Sequence, residues 1–326
     1  MNCYTLDRFR GAWLGSMLGS LVELRTNRHT EIWLQFFIVR EQLAKITIES
    51  QRSDADTIAD LLVETICKSD RYNALLESDR QPDLLVEYSY CLLSSLPLII
   101  FYGDNWNLLQ KILGKCCLKL GNRSHNSELE ADTLLWSYFV TSILNSKLEL
   151  NSGHFSKSIG QILTNAGDKK TALTTQLEVV ITAMERGVSL QQLSDELLSK
   201  GNRAQSAIAL SCYCFATTAT DFKLSVQRAT NLEPEIAGLT AALTGTLSGA
   251  YNGIAGIPLS WKKMATENTA YPLASQTVIM LFRAWLGIYP AKNEPKSNLE
   301  IQAIAVPNLI QTRKTLKIIS QKSLYG

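Results

Sequence analysis

Apolar residues recur along most of the chain at the three- and four-residue spacing of α-helices. This spacing is clear over residues 6–22, 31–46, 84–102, 106–120 and 129–148, and it returns in shorter segments towards the end of the chain. No sustained run alternates apolar and polar residues with the β-branched enrichment of strands. The pattern therefore predicts an all-α protein with some fifteen helices.

A central helix is predicted between Pro234 and Gly253, because proline is typical of a helix start and glycine of a helix end. Small residues recur every four positions within it and therefore share one helix face. These residues are Ala237, Ala241, Gly245 and Gly249. Since a glycine inside a helix costs up to about 1 kcal/mol relative to alanine, the stripe indicates that another helix packs closely against it.

A second stripe of small residues lies near the start of the chain. Gly11, Gly15 and Gly19 are also spaced by four, within the apolar segment 6–22. Residues at this spacing lie on the same side of a helix. We therefore predict that this first helix packs against the central helix, stripe against stripe.

The chain is predicted to form one domain over residues 1–326, because no low-complexity linker divides it. A polar, proline-containing loop is expected over about 288–300, followed by a helical extension over 301–326. The formal net charge of +2 is too small to favour nucleic acid as a partner. The pattern predicts neither a partner protein nor an oligomeric state.

The cysteines favour a reducing compartment. There are seven, an odd number, and most lie in apolar helical segments without zinc-site spacing. The N-terminus lacks a basic start followed by an apolar stretch, so no signal peptide is expected. The most apolar window, Cys91 to Tyr102, is short and contains Pro97, which argues against a membrane span. We predict a cytoplasmic protein without a membrane partner.

Two aspartates, Asp54 and Asp56, lie with Thr57 in the segment that opens a helix predicted over Ile58 to Cys67. Carboxylates are favourable there because the first N–H groups of a helix lack partners and its dipole is positive at that end. They are interpreted either as caps of that helix or as hard oxygen ligands for Mg²⁺ or Mn²⁺.

Two other polar sites lie at predicted helix starts. Ser124 and His125 separate two helices, where a histidine is more often a hydrogen-bonding group than a base. No nucleophile is paired with His125 by a recognisable motif. Glu233 and Glu235 open the central helix, where they complement its dipole or offer oxygen ligands to a cation bound by Asp56.

Five segments, in this order along the chain, resemble motifs of the ADP-ribosylglycohydrolase family. They are the glycine-rich Leu6–Gly19, Asp56-Thr57, Ser95-Leu96-Pro97-Leu98, Ser124-His125, and Asn231-Leu232 with Gly245 to Trp261. The resemblance implies an all-α fold of the family type. It also implies hydrolysis of a glycosidic bond to ADP-ribose, with two Mg²⁺ or Mn²⁺ ions activating water. Ser124, His125 and Asn231 would then contact the ligand, and Asp54, Asp56 and Thr57 would hold metal.

This chain departs from the family at the metal ligands. The Thr-Asp-Asp triplet falls on Asp54-Ala55-Asp56, and the late Asp-Thr-Asp-Thr motif falls on Ile236-Ala237-Gly238-Leu239. The aspartate of the family's opening helix is replaced by Ser20. Two cations need several carboxylates to offset their mutual repulsion and lost hydration, so we expect no metal or one weak site.

Three functions follow from these departures. The first is a binding module without the dinuclear centre or hydrolase activity, which binds an ADP-ribose-like nucleotide or a protein. The alternative is an active metal-dependent hydrolase of ADP-ribosylated substrates, in which Asp54 and Asp56 hold one cation and Glu235 completes its shell or acts as general base. The third is a purely structural interaction module in which Asp54 and Asp56 are caps.

Overall fold

The computed structural model describes residues 4–24, 30–49, 55–67, 84–120, 126–145, 171–266 and 271–288. These residues form fourteen α-helices and one 3₁₀-helix, and no strand occurs within those ranges. The prediction of an all-α fold is confirmed.

The helices are numbered here in chain order. They are α1 (Tyr4–Leu24), α2 (Thr30–Glu49), α3 (Ala55–Cys67), α4 (Leu84–Ser94), α5 (Leu96–Tyr102), α6 (Trp106–Leu120), α7 (Asn126–Leu144), α8 (Ala172–Arg186), α9 (Leu190–Lys200), α10 (Arg203–Thr217), α11 (Phe222–Thr230), α12 (Pro234–Asn252), α13 (Leu259–Thr266) and α14 (Tyr271–Trp285). The 3₁₀-helix, Ile254–Gly256, follows α12.

Helix α12 is the centre of the fold, as its composition predicts. Every residue from Ile236 to Ala250 is buried. The helix packs most extensively against α1 and also against α11, α10 and α7. It begins with Pro234 in its first turn and ends at Gly253, whose φ of 66° suits glycine.

The two small-residue stripes meet along the α1–α12 contact. A Cβ atom added to Gly11, Gly15 or Gly19 would overlap the backbone carbonyl oxygen of Gly249, Gly245 or Ala241, respectively. A Cβ added to Gly245 or Gly249 would overlap the carbonyl oxygen of Gly15 or Gly11. The backbones are therefore in direct contact at three successive turns, which confirms the predicted packing.

The apolar segment 84–102 is not one helix, contrary to its periodicity. It divides at Ser95 into α4 and α5, and Pro97 lies in the first turn of α5. Proline has no N–H and crowds the preceding turn, so the helix restarts there. By length and composition alone the segment Leu84–Tyr102 is compatible with a membrane span, but 76% of its apolar window is buried inside the protein. Core helices often meet the same criterion, so this is weak support for a membrane span.

Five of the cysteines are free and buried, as predicted for core thiols. They are Cys91, Cys116, Cys117, Cys212 and Cys214. Most of the loop predicted at 288–300 and the extension predicted over 301–326 lie outside the described residues.

Candidate functional site

The predicted site residues fall on several parts of the fold. Asp54, Ser124 and His125 lie outside the described residues. Asp56 and Thr57 lie in the first turn of α3. Asn231 and Glu235 flank the start of α12. These two locations have different neighbours: α3 packs mainly against α6 and α2, whereas α12 packs against α1, α10 and α11.

At the first location Asp56 forms an ion pair with Lys115 of α6. The Asp56 side chain is 71% exposed, and an exposed ion pair contributes about 0–1 kcal/mol to stability. Because α3 includes Ala55, Asp56 lies inside the helix, in its first turn. Thr57 is exposed at the same turn.

At the second location Glu235 forms an ion pair with Arg203. Arg203 is the first residue of α10 and Glu235 is the second of α12, so the pair joins the starts of two helices. Asn231 lies three residues before Pro234, and its backbone N–H donates to carbonyls at the end of α11. Asp56 and Glu235 therefore pair with cations on different helices, α6 and α10.

The segment that replaces the late metal motif belongs to the hydrophobic core. Ile236 is 0% exposed and Leu239 is 1% exposed. Both belong to the main cluster of buried apolar side chains. Ser20, which replaces the aspartate of the opening helix, is also buried, and its hydroxyl donates to the carbonyl oxygens of Ser16 and Met17 in its own helix.

These side chains do not fit a dinuclear metal centre. Two divalent cations need several oxygen ligands that converge on them. Ile236 and Leu239 contribute only hydrocarbon, and Ser20 is turned back on its helix. No group of three or more His, Cys, Asp or Glu side chains suited to a metal occurs among the residues that the structure describes.

A buried polar cluster, not predicted from the sequence, joins three helices. Asp132 of α7 is fully buried, and its Oδ2 accepts hydrogen bonds from Tyr88 Oη (2.8 Å) and Gln205 Nε2 (2.7 Å). Tyr88 lies on α4 and Gln205 on α10. Gln205 is two residues from Arg203, so the cluster lies near the end of the bundle where α10 and α12 begin.

Burial dominates the electrostatics of this cluster. It raises the pKa of Asp132, although hydrogen bonds from Gln205, Tyr88 and Thr171 oppose that effect. The pKa of Tyr88 is also raised, first by burial and then by the charge of Asp132. A buried carboxyl with a perturbed pKa is a candidate functional group. The sequence contains one local signal for it, since Asp132 lies three residues after Leu129 and four before Trp136, on the apolar face.

A second buried charge lies between α1 and α2. The Arg40 guanidinium lies 4.4 Å from the centre of the Trp13 ring, a cation–π contact. Burial lowers the pKa of Arg40 to about 10, which leaves it charged at neutral pH. The neighbouring Glu41 has a raised pKa because of burial, partly offset by Arg40. These contacts fasten α2 to α1 and involve none of the predicted site residues.

A surface pocket of about 260 Å³ lies between α8 and α9. Its lining includes Thr175, Glu178, Arg186 and Glu196. None of the predicted site residues lines it, so it is separate from both locations described above.

Comparison with known proteins identifies the family. The sequence model of the ADP-ribosylglycohydrolase family matches residues 88–286, more than half of the 326 residues. The chain therefore belongs to the ADP-ribosylglycohydrolase family. The match begins within α4 and covers the helices from α5 to α14, including α12, and α1 to α3 precede it. A search among curated proteins found no match.

Proposed function

We propose that this protein is an ADP-ribosylglycohydrolase-like binding module that lacks the dinuclear metal centre and the hydrolase activity. One observation carries this proposal: the position of the late metal motif, Ile236 to Leu239, is apolar and buried in the core. Without ligands from α12, the two ions that would activate water lack the second of the two ligand sets that would hold them.

The carboxylates that remain support the same proposal. Asp56 and Glu235 are each neutralised by a cation on a different helix, Lys115 and Arg203. A single cation shared by Asp56 and Glu235 would have to compete with both ion pairs. The alternative of an active hydrolase with one metal and Glu235 as base therefore has less support.

We propose an ADP-ribose-like nucleotide as the ligand, bound at the end of the bundle where α12 begins. Asn231, Ser124 and His125 are the candidate contacts, on the resemblance to the family motifs. Of these, Asn231 is exposed and lies directly after α11, three residues before α12 begins. A protein ligand at the same end is the second possibility within this function.

Calorimetric titration with ADP-ribose tests the proposal. We expect micromolar affinity that is the same with Mg²⁺ and with a chelator, because no bridging metal is needed. Asn231→Ala is expected to weaken binding about tenfold or more, as the loss of a polar contact of about 1.4 kcal/mol does.

Asn145→Ala is the matched control. Asn145 is also an exposed asparagine directly after a helix. It lies at the opposite end of the bundle: Arg8 of α1 contacts the carbonyl of Leu144, and the neighbouring Asp7 approaches Gly253 at the end of α12. Absence of heat under both metal conditions would rule out nucleotide binding. Metal-dependent turnover of an ADP-ribosylated substrate would instead support the alternative function, an active hydrolase.

A further inference from the structure

The buried carboxyl of Asp132 has an unequal set of hydrogen bonds. Its Oδ2 accepts from both Tyr88 and Gln205. Its Oδ1 is buried without a hydrogen-bond partner in the described part of the chain. An ionised carboxylate has about four sites for donors, and these two hydrogen bonds fill only part of them. The Thr171 side chain also favours the ionised form, but burial outweighs all three polar neighbours.

Among the residues that the structure describes, no cation contributes to the electrostatics of Asp132. From α4 and α10 it meets the neutral Tyr88 and Gln205, and Thr171 approaches from the start of α8. On its own helix Glu128 adds a further negative charge.

The described cations on the remaining neighbouring helices lie in other contacts or at other positions: Lys111 of α6 is exposed, and Arg10 lies near the first turns of α1, as Arg8 does. Arg203 of α10 pairs with Glu235 of α12, and Arg8 of α1 contacts the other end of α7. On α6, which also packs against α7, Lys115 pairs with Asp56, and α5 carries no charged residue.

We propose that Asp132 carries a proton at neutral pH and that the Tyr88–Asp132–Gln205 cluster is a pH-sensitive lock between α4, α7 and α10. A buried, unpaired charge is so costly that the neutral acid is the favoured form. When the pH rises far enough, the proton passes to solvent and the resulting carboxylate seeks hydration. The three helices then separate at the end of the bundle where α10 and α12 begin.

The pH dependence has a defined sign. The folded-state pKa of Asp132 is raised above the ordinary value, which is about 3.9. Below that value both states hold the proton, and Asp132 adds no pH dependence. Above it, unfolding releases one proton, so the unfolding equilibrium constant rises about tenfold per pH unit until the folded-state pKa is reached.

Denaturant unfolding of the wild type and of Asp132→Asn between about pH 4 and pH 7 measures this effect. Relative to that of Asp132→Asn, the unfolding equilibrium constant of the wild type should rise about tenfold per pH unit. Glu128→Gln removes an exposed carboxyl one turn away. Its unfolding equilibrium constant should rise with pH as steeply as that of the wild type. Parallel pH profiles for the wild type and Asp132→Asn would overturn the proposal.

A second measurement uses the wild type alone, so it does not depend on the variant folding. Asp132 is the only buried aspartate among the residues that the structure describes. With ¹³C at aspartate Cγ, one carboxyl resonance should keep the chemical shift of the protonated acid at neutral pH. If every aspartate resonance has the ionised shift at neutral pH, the lock does not exist.

Discussion

Gly15→Ala is expected to destabilise the protein severely, by about 3 kcal/mol or more. The new methyl group would overlap the carbonyl oxygen of Gly245 and would also approach Phe222. Backbone atoms cannot move aside as a flexible side chain does, so α1 and α12 would have to separate along their contact. Gly245→Ala should have a similar effect, because its methyl group would overlap the carbonyl oxygen of Gly15.

Gly114→Ala is the matched control for these variants. Gly114 also lies inside a helix, α6, and its added Cβ would lie 2.9 Å from a carboxylate oxygen of Glu130, the tip of a flexible side chain. Alanine favours a helix interior by up to about 1 kcal/mol over glycine, so this variant should be neutral or slightly stabilised. Denaturant unfolding measures all three. Equal midpoints for Gly15→Ala and Gly114→Ala would show that α1 and α12 are not in backbone contact.

Ile236→Asp is the second variant with a large expected effect. It restores the first aspartate of the late metal motif, at a position that is 0% exposed in this chain. We expect a loss of about 3–5 kcal/mol, because the change removes a buried side chain and adds a charge without a partner. Addition of Mn²⁺ should not recover the stability.

Two controls separate the causes of this loss. Ile236→Val keeps the position apolar and should cost only about 0.5–1.5 kcal/mol. Ile236→Asn has nearly the shape of the aspartate without its charge and should fall between the two. A thermal unfolding scan measures each variant with and without Mn²⁺. If Ile236→Asp is as stable as the wild type, or if Mn²⁺ stabilises it selectively, the position lines a cleft and not the core.

The main features of the fold follow from local patterns in the sequence. The α1–α12 contact is predicted by the four-residue spacing of Gly11 and Gly15 and of Gly245 and Gly249, since residues with that period lie on one helix face. The family match over 88–286 agrees with the resemblance found from the motifs. The apolar Ile236 to Leu239 segment is equally visible, and the structure adds that it is buried.

Other features depend on residues that are distant in the sequence. Tyr88 and Gln205 are 44 and 73 positions from Asp132, and only the folded chain brings the three together. The same is true of the ion pairs of Asp56 and Glu235, whose partners no spacing rule indicates. The division at Ser95 has a local cause, Pro97, but the apolar period continues through it and conceals the break.

We propose that the chain keeps the helical framework of its family without the ligands for two metal ions. Equilibrium dialysis against Mn²⁺ at neutral pH, with the bound metal counted per chain, tests this proposal. We predict at most one weakly held ion per chain, and retention unchanged by Glu235→Gln. Two tightly bound manganese ions per chain would contradict it.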